Sequence, residues 1–90
     1  MFNIKDETHC QIVAGDLTTL AEAVTELTRL AAIPWNQQPN KPPCMGWHRC
    51  GRRYVIVECD EAGVPWQQLR RIRGVDISAN GVIWHLDPAL

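Results

Sequence analysis

Residues 52 to 59 read RRYVIVEC, and the fold turns on this run. Between the paired arginines and the cysteine it is almost continuously apolar and rich in β-branched side chains, which predicts a central strand covered on both faces rather than a half-exposed edge. A covered strand needs neighbours on both sides, so the rest of the chain is read for what flanks it.

Upstream, CQIVA at residues 10 to 14 reads as a short strand ended by Gly15 and Asp16. Beyond it Leu17, Leu20, Val24, Leu27 and Ala31 recur at three- and four-residue spacing, with Thr18, Glu22, Thr25, Glu26 and Arg29 on the other side. That period predicts an amphipathic helix. Asp16 is a candidate N-cap, and Thr19 with Glu22 forms an alternative capping box. Pro34 stops the helix, because the residue before a proline is driven out of helical geometry.

Downstream, residues 60 to 63 form a turn. Pro65 fits the first position of a short second helix with Trp66, Leu69 and Ile72 on one face and Gly74 as its stop. Residues 75 to 77 and 82 to 86 read as strands joined through SANG, a hairpin signal in which Asn80 and Gly81 accommodate positive φ. Val82, Trp84 and Leu86 fall on one side of the last strand, Ile83 and His85 on the other. The expected fold class is α+β: a small, mainly antiparallel sheet packed by one long and one short helix, in a single domain spanning residues 1–90.

Residues 34 to 51, PWNQQPNKPPCMGWHRCG, hold four of the six prolines and two of the four tryptophans and show no apolar period. Loops this long in small domains tend to be either functional or mobile, and two tryptophans argue against idle mobility. Within this one, Cys44, His48 and Cys50 bring two thiols and an imidazole into seven positions. Zinc is the metal such donors suit, with Cys10, His9 or Cys59 as a fourth ligand, although the five residues between the thiols exceed the usual spacing. Against that stands the plainer reading in which Cys10 and Cys59 are small core side chains and the loop thiols bind nothing.

With 46% hydrophobic residues, 21% charged and a formal charge of -1, bulk composition selects no polyanionic partner. The charges are nonetheless split along the chain. Residues 1 to 40 set two cations against five carboxylates, net -3, whereas residues 41 to 90 set seven cations against five, net +2. Six of the seven arginines fall between positions 49 and 73. Trp35, Trp47, Arg49, Arg52, Arg53, Arg70, Arg71 and Arg73 are therefore the candidate partner-binding residues, since arginine beside tryptophan is what protein interfaces enrich. The bland counterpart is a solvated helix face and strand flank.

A helix-turn-helix reading of residues 66 to 86 places NG inside its second helix, and a hairpin explains the same residues without that cost. No phosphate-cradling glycine loop, nucleophile elbow or HExxH helix is present. The first twenty residues lack a basic start followed by an apolar run, so the expected compartment is the cytosol, with no membrane association. The functional expectation is a small non-enzymatic interaction module of the inhibitor, antitoxin, immunity or phage anti-defence kind, which occludes an acidic surface on a larger protein. A homodimer that buries tryptophan is compatible with it. Two alternatives compete, namely a zinc-stabilised nucleic-acid-binding regulator and a small thiol enzyme using Cys44 or Cys50.

Overall fold

The computed structural model describes residues 1–44, 46, 49–60 and 67–86, with nothing stated of the side chains at positions 60 and 67. Five antiparallel strands form one sheet in the order β2-β1-β3-β4-β5. They are β1 (Phe2–Asp6), β2 (Gln11–Leu17), β3 (Gly51–Asp60), β4 (Gln67–Ser78) and β5 (Gly81–Trp84), with a single helix among the described residues, α1 (Leu20–Ala31). No helix among the described residues is long and apolar enough to cross a membrane.

The run at residues 52 to 59 is the middle strand, as its composition predicts. Its two faces lead to different surroundings. Tyr54 and Ile56 face α1 and join Ile4, Ile72, Val75 and Ile77 from the neighbouring strands beneath Ala23, Leu27 and Leu30 of the helix. On the opposite side Val55, Val57 and Cys59 are also buried. Register places Val55 between Lys5 and Arg73, and Val57 between Asn3 and Arg71, where the alkyl stems of Lys5, Arg71 and Arg73 can shelter them.

Helix α1 begins later than the apolar period suggests. Leu17 ends β2, and Asp16 is not a cap but a strand residue with φ 59°. Thr19 is the N-cap, its hydroxyl accepting the Glu22 amide at 3.1 Å. The Glu22 carboxylate reaches back to the amide of Thr18 at 2.8 Å. Of the two capping options the box prevails, because Thr18 and Thr19 can stay extended while Glu22 closes the turn.

Two corrections concern the sheet. The short helix expected from Pro65 does not form over residues 67 to 74, which belong to β4; of the turn expected over 60 to 63, Asp60 instead ends β3, and residues 61 to 63, Pro65 and Trp66 lie outside the described residues. Register shifts between Tyr54 and Val55 and between Glu58 and Cys59 leave Gly74 and Leu69 without opposite numbers in β3. These bulges put Ile72 and Val75, three apart, on one face, so a bulged strand imitates a helical period. Gly74 stops nothing. A Cβ there would lie 2.6 Å from a Leu27 methyl and 2.7 Å from the Tyr54 carbonyl oxygen, so only glycine lets the helix approach this closely. The second correction is β1, which the sequence reading did not find: FNIKD alternates Phe2, Ile4 and Asp6 toward α1, and an aspartate in an inward position conceals the pattern. In the β4–β5 hairpin the positive φ falls on Gly81, at 121°.

The described residues from 34 to 50 form no α-helix or strand, yet several are tied down. Asn40 is buried; its amide donates to the carbonyls of Leu30 and Ile33, both at 2.8 Å, and so closes the C-terminal end of α1. Its Oδ1 accepts the Tyr54 hydroxyl at 2.8 Å. Burial pushes the Tyr54 phenol up to about 12. Because the folded value exceeds the unfolded one of about 10, this group's stabilising contribution is complete below about pH 10 and is lost as pH rises toward 12. Tyr54 is the chain's one tyrosine, so ultraviolet titration of phenolate should show a single late step that coincides with alkaline unfolding. Tyr54→Phe should remove that step and cost about 1–3 kcal/mol at neutral pH by leaving the Asn40 oxygen unpaired. A phenol titrating near its ordinary value in the folded chain would contradict this placement.

Candidate metal centre

The site is built outward from Asp6, whose side chain is fully buried. Residues 7 to 10 link β1 to β2, with Cys10 at φ 53°. Asp6 Oδ1 accepts the Thr8 amide at 3.0 Å, an Asx turn that fixes this link, and also the Arg53 amide at 3.0 Å. Its Oδ2 accepts Arg52 Nη1 at 2.8 Å and faces His9 Nδ1 at 2.6 Å. Burial by itself pushes the Asp6 carboxyl up, but the bonds from Arg52, the Arg53 amide, His9 and the Thr8 amide together outweigh it and hold the group below its usual range.

Arg52 completes the frame. Only 5% exposed, it donates to the Pro39 carbonyl at 3.1 Å, the Lys41 carbonyl at 3.2 Å and Gln11 Oε1 at 2.7 Å as well as to Asp6. One guanidinium thus joins β3, β1, β2 and the loop.

This frame carries His9 up to the two loop thiols. The donor atoms of His9, Cys44 and Cys50 all lie within 4.8 Å of one another. Tetrahedral zinc, with bonds of about 2.3 Å to sulfur and about 2.0 Å to nitrogen, sets its ligand atoms about 3.5–3.8 Å apart. A small inward adjustment of the loop would meet that spacing. Asp6 engages His9 Nδ1, which leaves Nε2 as the ring's remaining donor, the carboxylate–histidine pairing that orients metal-ligating imidazoles. Hydrogen bonds from Cys50 and then His9 hold the Cys44 thiol below its ordinary value, while Cys44 pushes Cys50 up. Burial depresses His9, yet its bonds to Cys44 and Asp6 raise it overall. The group of three could hold a metal ion.

Of the residues singled out from sequence, Cys44 and Cys50 are brought together, and His9, offered there as an additional ligand, meets them. His48 lies outside the described residues, as does Trp47. Cys59 is buried in the sheet and reached by Asn3 Nδ2 at 3.6 Å. Cys10 is exposed rather than in the core and lines a groove of about 270 Å3 with Asn3, Lys5, Ile12, Val57 and Gln68. The arginines divide. Arg52 is an internal strut and not a surface contact, because inward positions alternate along β3. Arg49 is exposed. Arg53 pairs loosely with Asp76 at 3.8 Å, and Arg71 pairs with Glu7, both on the face away from α1. Arg73 shares that face and approaches His85 at 3.4 Å, whereas Arg70 bonds Glu58 at 3.0 Å. Trp35 is half-buried against the main core. Asp6 was the residue sequence reading missed, and its signal was Asp-x-x-His at the end of an alternating strand.

Comparison with protein-family models, with curated proteins and with solved structures returns no match for this chain.

The division between the two neighbouring arginines is measurable. Arg52→Met should lower unfolding free energy by about 3–5 kcal/mol in urea denaturation, since it strands a buried carboxylate, whereas Arg53→Gln should stay within about 0.5 kcal/mol. Equal effects would contradict the assignment.

Proposed function

We infer that this protein is a non-catalytic binding module in which zinc, held by His9, Cys44 and Cys50, fastens the long loop to the sheet, and that the surface so fixed occludes a site on a larger protein. The observation that carries the reading is the convergence of the three donors, with Asp6 behind the imidazole. Zinc suits a mixed thiolate and imidazole set better than magnesium or calcium, which take oxygen ligands. Its role is to tie loop to strand, so metal binding and loop order are one event.

Support for a protein partner comes from the surface beside the metal. A groove of about 270 Å3 is lined by Thr8, Gly51, Arg53, Asp76, Asn80 and Ile83, and Thr8 and Gly51 adjoin His9 and Cys50 in the chain. Arg53 there faces Asp76, and outside the groove on the same sheet face Arg71 pairs with Glu7. A mixed-charge, partly apolar groove suits the side chains of an acidic protein segment, whereas an oligonucleotide calls for uninterrupted positive charge or stacking aromatics.

The test begins with metal analysis after exhaustive dialysis. About one equivalent of zinc should remain in the unaltered chain and fall to background in Cys44→Ser and in Cys50→Ser. Both thiols should resist alkylation until a chelator is added. A chain that retains no zinc, and whose Cys44 alkylates far faster than its other thiols, would defeat this reading in favour of thiol chemistry. Tight oligonucleotide binding that weakens steeply with salt would move it to a nucleic-acid-binding regulator.

A further inference from the structure

We propose that β5 is a self-association edge, through which two copies pair antiparallel about a two-fold axis at Ile83 to form one continuous sheet. The strand lies at the end of the sheet order. The His85 amide donates to the Gly74 carbonyl at 2.8 Å, and bonding directions alternate along a strand. With Val75 opposite Trp84 and Ile77 opposite Val82, the backbone groups of Ile83 and Gly81 therefore point toward β4, and those of Val82 and Trp84 point away from the sheet.

The side chains on that edge are unusual for one left open. Val82, Ile83 and Trp84 are 43%, 58% and 45% exposed, and GVIW contains neither the charge nor the proline by which edge strands ordinarily discourage pairing. The other edge of the same sheet is blunted. Strand β2 contains Asp16 at φ 59°, and register shifts interrupt its pairing with β1. Among the described residues one edge is thus guarded and the other open.

The occupant is a second copy because the strand complements itself. An axis through Ile83 sets that residue on its own counterpart and Val82 against Trp84, so every apolar side chain meets another. Val82 and Trp84, whose amides and carbonyls face outward, become the hydrogen-bonded pairs. His85, held by Asp76 at 2.9 Å, comes opposite the partner's glycine at position 81, so no charge opposes a charge. Ile83 also lines the groove that holds Thr8 and Gly51, so the pairing and a partner seated there would share that side chain.

A four-residue strand makes a small interface, below about 1,200 Å2, the class of weak and transient contacts. Sedimentation velocity of the full chain from about 5 µM to about 500 µM, a span suited to such weak pairs, should show monomer passing into dimer. Ile83→Lys and Ile83→Glu should each weaken association by about tenfold or more, through like charges set opposite one another, and a one-to-one mixture of the two should restore it. Hydrogen exchange on the unaltered chain provides a readout free of folding defects: the Val82 and Trp84 amides should slow as concentration rises. A chain monomeric throughout, a dimer that both charged variants retain, a mixture that fails to associate, or edge amides indifferent to concentration would each overturn the proposal. So would a β5 edge that pairs only with the strand of another protein.

Discussion

The contact between Asp6 and Arg52 organises this molecule. Removing two charges from water is expensive, and in the interior their mutual attraction offsets that cost only where the remaining hydrogen-bonding capacity is also used. Here it is. Asp6 accepts two backbone amides besides Arg52 and His9, and Arg52 spends its other donors on two loop carbonyls and Gln11. Among the described residues no buried side-chain nitrogen or oxygen is without a hydrogen-bond partner. The same two side chains that join three strands also orient the imidazole and hold the carbonyls of the loop that carries the thiols.

From this follows how a loop whose described residues form neither α-helix nor strand can be held to the sheet of a small domain. Its backbone polar groups need partners, and side chains from the sheet supply them. Tyr54 positions Asn40, which terminates α1; Arg52 takes the carbonyls of Pro39 and Lys41; Cys44 and Cys50 then approach His9. Metal binding at the far end would add to a path already half built, so the ordering cost left for the ion to overcome is reduced.

How much of this could be seen in the residues depends on whether a local pattern and the tertiary contacts agreed. They agreed for RRYVIVEC, where burial on both faces leaves no other use for the run, for α1, and for the SANG hairpin. They conflicted in β4, where bulges at Leu69 and Gly74 turn a two-residue alternation into spacings of three. They conflicted again in β1, because an inward aspartate interrupts the apolar alternation and its counter-charge lies 46 positions away. Arg52 and Arg53 are chemically identical neighbours, and only strand alternation sends one to the interior and the other to solvent. The metal centre was half legible. Two thiols in one loop announce themselves, while a histidine on a distant hairpin joins them only through the fold.

Through Arg52 and Asp6 the loop is expected to belong to the same cooperative unit as the sheet before any metal binds. Native-state hydrogen exchange on metal-free protein examines it most directly at the Lys41 amide, which donates to the Gln37 carbonyl at 2.9 Å. It should open with the same free energy as the amides of β3. Exchange at Lys41 as fast as in an unstructured peptide, while the Ile56 amide stays protected, would show instead that the sheet folds without holding the loop.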